Sequence, residues 1–243
     1  GSVIVGGTVK RRIRRDDWTL TNGRGLKLHG SWWRNYRDDH KAPPARIMLY
    51  LHANASSRVE ALRAGVLRAA IQCDADLVAF DFAGSGWSDG LYVSLGCFER
   101  YDVVDVVAYV VGACEQRAMK QGMVFEPPEV VLWGRSMGAT TALLYAALPG
   151  AYANVKGLIL DSAFRSVRGI VEDLVRRGKY RLPKLAARAI LALLRKTTTE
   201  RTGGAKVVDV DVTQPLTGGD AREWLAVGAV RRAPLHDDAS MVM

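Results

Sequence analysis

Short apolar runs alternate with amphipathic stretches through the middle of the chain. Ile47–Leu51 reads as a buried strand, and Leu77–Phe82, Val130–Trp133 and Val155–Leu160 as further apolar strands. Helical patterns lie between them. Val59–Gln72 places Leu62, Val66, Ala69 and Ala70 on one stripe, and Phe98–Gln116 is apolar at Val103, Val106, Val107 and Val110. A run of good helix formers follows Gly138 and is ended by Pro149-Gly150. Strand alternates with helix from about 47 to 164, which predicts a mostly parallel sheet with helices on both faces. Upstream, 16–20 and 26–29 alternate around the turn sequence 21–25 and predict a β-hairpin at an edge. Asp38 to Pro44 is a polar loop. After Phe164 the pattern changes to two helical stretches, about 164–178 and 184–196, with no strand between them. Residues 164–206 read as a helical insertion over the site, and 217–243 carry no clear strand–helix unit.

In a parallel sheet the reactive groups collect beyond the C-terminal strand ends. The loops 52–57, 83–90, 134–138 and 161–164 all lie there. Gly134-Arg135-Ser136-Met137-Gly138 stands between an apolar strand and a helix, the setting of a nucleophile elbow. A serine on so sharp a turn points out at the top of the sheet, and the following helix aims its N-terminus at a developing oxyanion. Gly86-Trp87-Ser88-Asp89-Gly90 has the same G-x-S-x-G spacing but no helix behind it, so it reads as a Gly-rich loop. Gly84-Ser85-Gly86 lacks the third glycine and the helix of a dinucleotide site.

Length and composition fit one globular domain: 243 residues, 49% hydrophobic and 24% charged. Three scattered cysteines, Cys73, Cys97 and Cys114, show no pairing or metal spacing, which predicts free thiols in a reducing, cytoplasmic compartment. No cofactor or metal is expected. The net charge of +9 is local, because twelve Lys/Arg face three acids between Arg165 and Lys206. That segment reads as a solvated face, with weak contact to an anionic membrane left open. Its few aromatics, Phe164 and Tyr180, argue against nucleic acid.

Four blocks, LYLHANASSRVEAL, FDFAGSGWSDG with YVSLG, VLWGRSMGATTALLYA and LILDSAF, resemble the α/β-hydrolase superfamily. They are similar to its serine aminopeptidase-like branch, with the protozoan and plant serine peptidase-like proteins. The resemblance covers about 7–216 and implies a serine hydrolase acting on a small-molecule or peptide acyl substrate, an ester, thioester or amide. It implies Ser136 as nucleophile, with the backbone N–H groups of Met137 and Asn54 as oxyanion donors. His52-Ala53-Asn54 stands where the family usually has His-Gly-Asn. His52 would hold that loop by hydrogen bonds. The family order is Ser, then acid, then His, yet the only His after Ser136 is His236, in Pro234–Asp238. The family pattern therefore breaks near Thr217, as in a truncated domain with incomplete C-terminal strands. The alternative reading is a catalytically incomplete fragment or a non-catalytic binding protein. His29 and His40 read as edge or loop positions, Asp161 as a structural carboxylate or a shifted acid, and Asp209 and Asp211 as exposed.

Overall fold

In the computed structural model the described residues are 2–5, 9–36 and 42–166, with short pieces at 168–170, 172, 188–189, 191–193, 196 and 226–227. Most of the expected insertion 164–206 and of the tail 217–243 lies outside them, as do His40, Asp209, Asp211 and His236.

The strands are β1 (Ser2–Val5), β2 (Val9–Thr21), β3 (Lys27–Tyr36), β4 (Arg46–Leu51), β5 (Asp76–Asp81), β6 (Glu129–Arg135), β7 (Val155–Asp161) and β8 (Ala226–Val227). They form one sheet in the order β1-β2-β3-β5-β4-β6-β7-β8. β1, β2, β3 and β5 are joined antiparallel, and β5 through β8 are joined parallel. The expected hairpin is present, with Thr21 opposite Lys27. It is longer than the alternating residues suggested, because β2 begins at Val9 and runs through the charged stretch to pair with β1 as well as β3. β8 adds a short parallel strand where the sequence shows none.

The helices are α1 (Glu60–Arg63), α2 (Val66–Gln72), α3 (Glu99–Lys120) and α4 (Met137–Ala146). The single helix expected over 59–72 is two short ones. Gly65 between them takes φ +73°, the left-handed region that glycine enters without a Cβ penalty. The break rotates the apolar stripe: Ala61, Val66, Ala70 and Ile71 are buried, while Leu62 is exposed.

Each central strand feeds two cores, as period-2 geometry requires. Ile47, Leu49, Leu51, Val78, Phe80 and Leu132 pack on one face with Val103, Val106, Val107 and Val110 of α3 and with Met137 and Tyr145 of α4. Met48, Tyr50, Leu77 and Ala79 pack on the other with Ala61, Val66 and Ala70. This two-sided burial is why β4 and β5 read as unbroken apolar runs. It also fixes where their C-terminal ends emerge, and the candidate site is built there. Among the described residues no helix is long and apolar enough to cross a membrane.

Candidate active site

β6 runs directly into α4 through Ser136, whose backbone sits at φ 49°, ψ −111°. That is a strained conformation for a residue with a side chain, worth ~1–3 kcal/mol. Two contacts make it necessary. A Cβ on Gly134 would lie 2.3 Å from the Gly138 carbonyl oxygen, and one on Gly138 would lie 2.0 Å from that of Leu51. Only residues without side chains let strand, turn and helix approach so closely. The Ser136 N–H donates to the Asp161 carbonyl at 2.7 Å, and the Ser136 carbonyl accepts from the Thr140 N–H at 3.0 Å. The turn is thus held by β7 on one side and by its own helix on the other. Ser136 is half-buried, and its hydroxyl has no hydrogen-bond partner among the described residues. Met137 opens α4, so its N–H belongs to the first turn, where helix N–H groups lack intrahelical acceptors.

The loop after β4 meets this turn, because Gly138 packs on the Leu51 and His52 carbonyls. His52 is fully buried, and both ring nitrogens are engaged. The Phe82 N–H donates to Nε2 at 3.1 Å, so the proton sits on Nδ1, which donates to the Ala53 carbonyl at 2.7 Å. Burial pushes the imidazole below its ordinary pKa, partly opposed by the Ala53 hydrogen bond and by Asp81 and Glu60, and keeps it neutral. His52 therefore holds the loop. The Ala53 N–H donates to Glu60 Oε2 at 2.8 Å. Glu60 Oε1 accepts from Arg135 at 3.2 Å, and Arg135 Nε lies 3.5 Å from Asp161 Oδ2. The Tyr50 hydroxyl is buried beside Glu60; burial first, then the charge of Glu60, raises its pKa and keeps it neutral. Asn54 is exposed, and its N–H has no acceptor among the described residues.

Neither described histidine can serve Ser136 as a base. His52 has no free nitrogen. His29, in β3, pairs with Asp81 of β5 and stands three strand spacings from β6, about 14 Å at ordinary sheet geometry. Asp161 is half-buried and tied to Arg135 and to the Ser162 hydroxyl, which donates to it at 2.8 Å. The Ser88 hydroxyl donates to the Asp81 carbonyl at 2.6 Å and accepts from the His29 N–H at 2.9 Å, so this second G-x-S-x-G is bound into its loop. The Asp81 carboxylate is buried under that loop, paired with Arg58 and accepting the Arg58 and Trp87 N–H groups at 2.7 and 2.9 Å. Beyond β7, the 161–166 loop is tied to α4 through Thr140, whose hydroxyl donates to the Phe164 carbonyl at 3.2 Å. Phe164, Arg165, Ile170 and Glu172 line an open cleft of about 550 Å³ there, and Ser136 is not among its walls.

The structure thus brings Ser136, Met137 and Asn54 to one end of the sheet. Glu60, Arg135 and Tyr50 join them without having been singled out in the sequence. Arg135 carried a signal, as the residue before the serine of the turn; Glu60 reads as an ordinary solvated charge at a helix start.

Several solved structures share the fold. An esterase of Pyrococcus furiosus, Pf2001, matches at 20% identity and a TM-score of 0.54, over 72% of this chain and 60% of that one. A second crystal form of it matches at a TM-score of 0.52, also at 20% identity, over 74% and 64%. The complex of DcsB with its substrate analogue matches at 18% identity and a TM-score of 0.50, over 79% and 56%. The chain spans less than two thirds of the length of each. No curated protein matches. Residues 46–203 match the profile of the alpha/beta hydrolase fold, and they contain the Ser136 turn, the His52 loop and the parallel strands that carry both. With well over half its length inside that match, the chain belongs to the alpha/beta hydrolase fold family.

Proposed function

We propose that the protein is a serine hydrolase that cleaves a carboxylic ester through an acyl-enzyme on Ser136. The observation that carries this reading is the strained Ser136 backbone between two glycines that tolerate no Cβ. Such a turn costs free energy and persists because the surrounding packing over-determines it, and it presents a serine hydroxyl at the strand end above a helix N-terminus. The hydroxyl attacks the substrate carbonyl. The N–H groups of Met137 and Asn54 receive the oxyanion, and the alcohol leaves with the serine's proton. Water then releases the acid. The proton acceptor is not among the described residues. Ester is placed ahead of thioester and peptide because the Pyrococcus furiosus protein that shares the fold is an esterase. Membership in the serine aminopeptidase-like branch rests on the four sequence blocks and keeps peptide bonds as substrates of the same mechanism. A fluorophosphonate probe tests the reading: labelling of the intact protein that disappears in Ser136→Ala supports it, and equal labelling of both proteins refutes it.

A second reading has its own observation. The Ser136 hydroxyl meets no histidine among the described residues, and both described histidines are placed elsewhere. The chain would then bind an acyl ligand without turning it over. Loss of the base costs several orders of magnitude in rate. Turnover of p-nitrophenyl butyrate that Ser136→Ala abolishes eliminates this alternative.

A further inference from the structure

We infer that Glu60 is a positioning residue that sets the direction of the Asn54 N–H and couples the loop after β4 to the Ser136 turn. The inference rests on the hydrolase reading and deepens it. The peptide joining Ala53 to Asn54 is trans, as are the peptide bonds among the described residues, so its N–H points opposite to its C=O. That C=O is fixed by His52 Nδ1–H at 2.7 Å. One hydrogen bond leaves the peptide free to swing about the His52 donor. The second anchor is the Ala53 N–H, donated to Glu60 Oε2 at 2.8 Å. With both Ala53 groups held, one from each side, the plane of the next peptide is set and the exposed Asn54 N–H has one orientation. Ala55 just beyond takes φ +55°, so the chain leaves Asn54 in a strained turn that must be restrained from the preceding side.

The other oxygen of Glu60 faces the turn. Arg135, the residue before Ser136, reaches Glu60 Oε1 at 3.2 Å and also approaches Asp161. One carboxylate therefore holds the loop that carries one proposed oxyanion donor and the side chain beside the proposed nucleophile. The Tyr50 hydroxyl is buried beside Glu60, with no hydrogen bond at ordinary distance among the described residues, and keeps a neutral group next to the carboxylate. Glu60 sits in α1, a helix of four residues whose own stability is negligible, so the side chain is placed by packing and by these partners.

The test uses the full chain and Glu60→Ala, Glu60→Gln and Glu60→Asp. Glu60→Gln keeps an acceptor at the same reach, whereas Glu60→Asp keeps the charge and falls one methylene short. Amide exchange of 52–57 followed by mass spectrometry is expected to quicken in Glu60→Ala and Glu60→Asp and to stay near wild type in Glu60→Gln. Fluorophosphonate labelling of Ser136 is expected to slow about 100-fold in Glu60→Ala, the cost of a misplacement near 1 Å. For p-nitrophenyl butyrate the loss falls on kcat, with KM within about twofold. A general loss of stability would instead move Gln and Asp variants together. Wild-type exchange and labelling in Glu60→Ala overturn the inference, as does a loss carried by KM alone. If the wild type itself takes no Ser136-dependent label, the hydrolase reading fails, and unchanged exchange in Glu60→Ala still overturns the anchoring on its own.

Discussion

Gly138→Ala puts the architecture of the Ser136 turn to its most direct test. The added carbon would stand 2.0 Å from the Leu51 carbonyl oxygen and 2.5 Å from its carbon. Both are backbone atoms of a central strand that pairs on both sides, so neither can turn aside. Relief to an ordinary carbon–oxygen contact of about 3.3 Å requires the first turn of α4 and the end of β4 to separate by more than 1 Å. Over-packing of this kind costs about 1–3 kcal/mol. In a chain of this size each kcal/mol lowers Tm by about 2–4 °C, so the expected fall is roughly 2–12 °C. The same displacement moves the Met137 N–H relative to the loop after β4, and labelling of Ser136 by a fluorophosphonate is expected to drop about 100-fold. Gly157→Ala is the control. Its Cβ would meet nothing closer than Val131 at 3.9 Å, and Tm and labelling should stay near wild type. Differential scanning calorimetry and a labelling time course read both quantities. Wild-type Tm and labelling in Gly138→Ala would refute the reasoning, because the close approach would then not constrain the turn.

Other perturbations separate structural from chemical roles. Ser88→Ala removes a hydroxyl that joins β3 to the end of β5; unfolding in urea should show a loss of about 1–3 kcal/mol while Ser136 labelling persists. Asp81→Asn leaves the buried Arg58 guanidinium without its counter-charge and should cost about 3–5 kcal/mol by the same measurement. His52 titrates below its ordinary pKa in the folded protein, so the unfolded chain takes up its proton first as pH falls. This contribution to stability is intact above the ordinary value near 6.5 and is lost as pH drops through the folded one. The melting temperature should accordingly decline from pH 7 toward pH 5, and His52→Gln should flatten that slope.

The central sheet was legible because β4 and β5 are buried on both faces and therefore read as unbroken apolar runs. The order of those strands was not legible, since placing β5 between β3 and β4 depends on long-range pairing that no local pattern records. A helical period ran across Gly65, and the break there became visible only in the backbone. At the site, the Ser136 turn stood out from the equally spaced glycines around Ser88 by its strand–turn–helix setting, and the loop-holding place of His52 came from the family resemblance. Its partners were not. Glu60 and Arg135 are charged residues whose meaning comes from partners no local pattern names: Glu60 from the Ala53 N–H seven residues before it and from Arg135 far along the chain, and Arg135 from Glu60 and Asp161.

The hydrogen bond from the Ser136 N–H to the Asp161 carbonyl has a consequence for the order in which the molecule is made. Its acceptor is translated 25 residues after its donor. Until β7 docks beside β6, the strained φ, worth ~1–3 kcal/mol, is opposed from the helix side and by the glycine contacts alone. A nascent chain that has completed β6 and α4 therefore holds the serine turn through its own helix and the glycine contacts, without the anchor from β7. The second anchor of the turn is added only when β7 closes against β6.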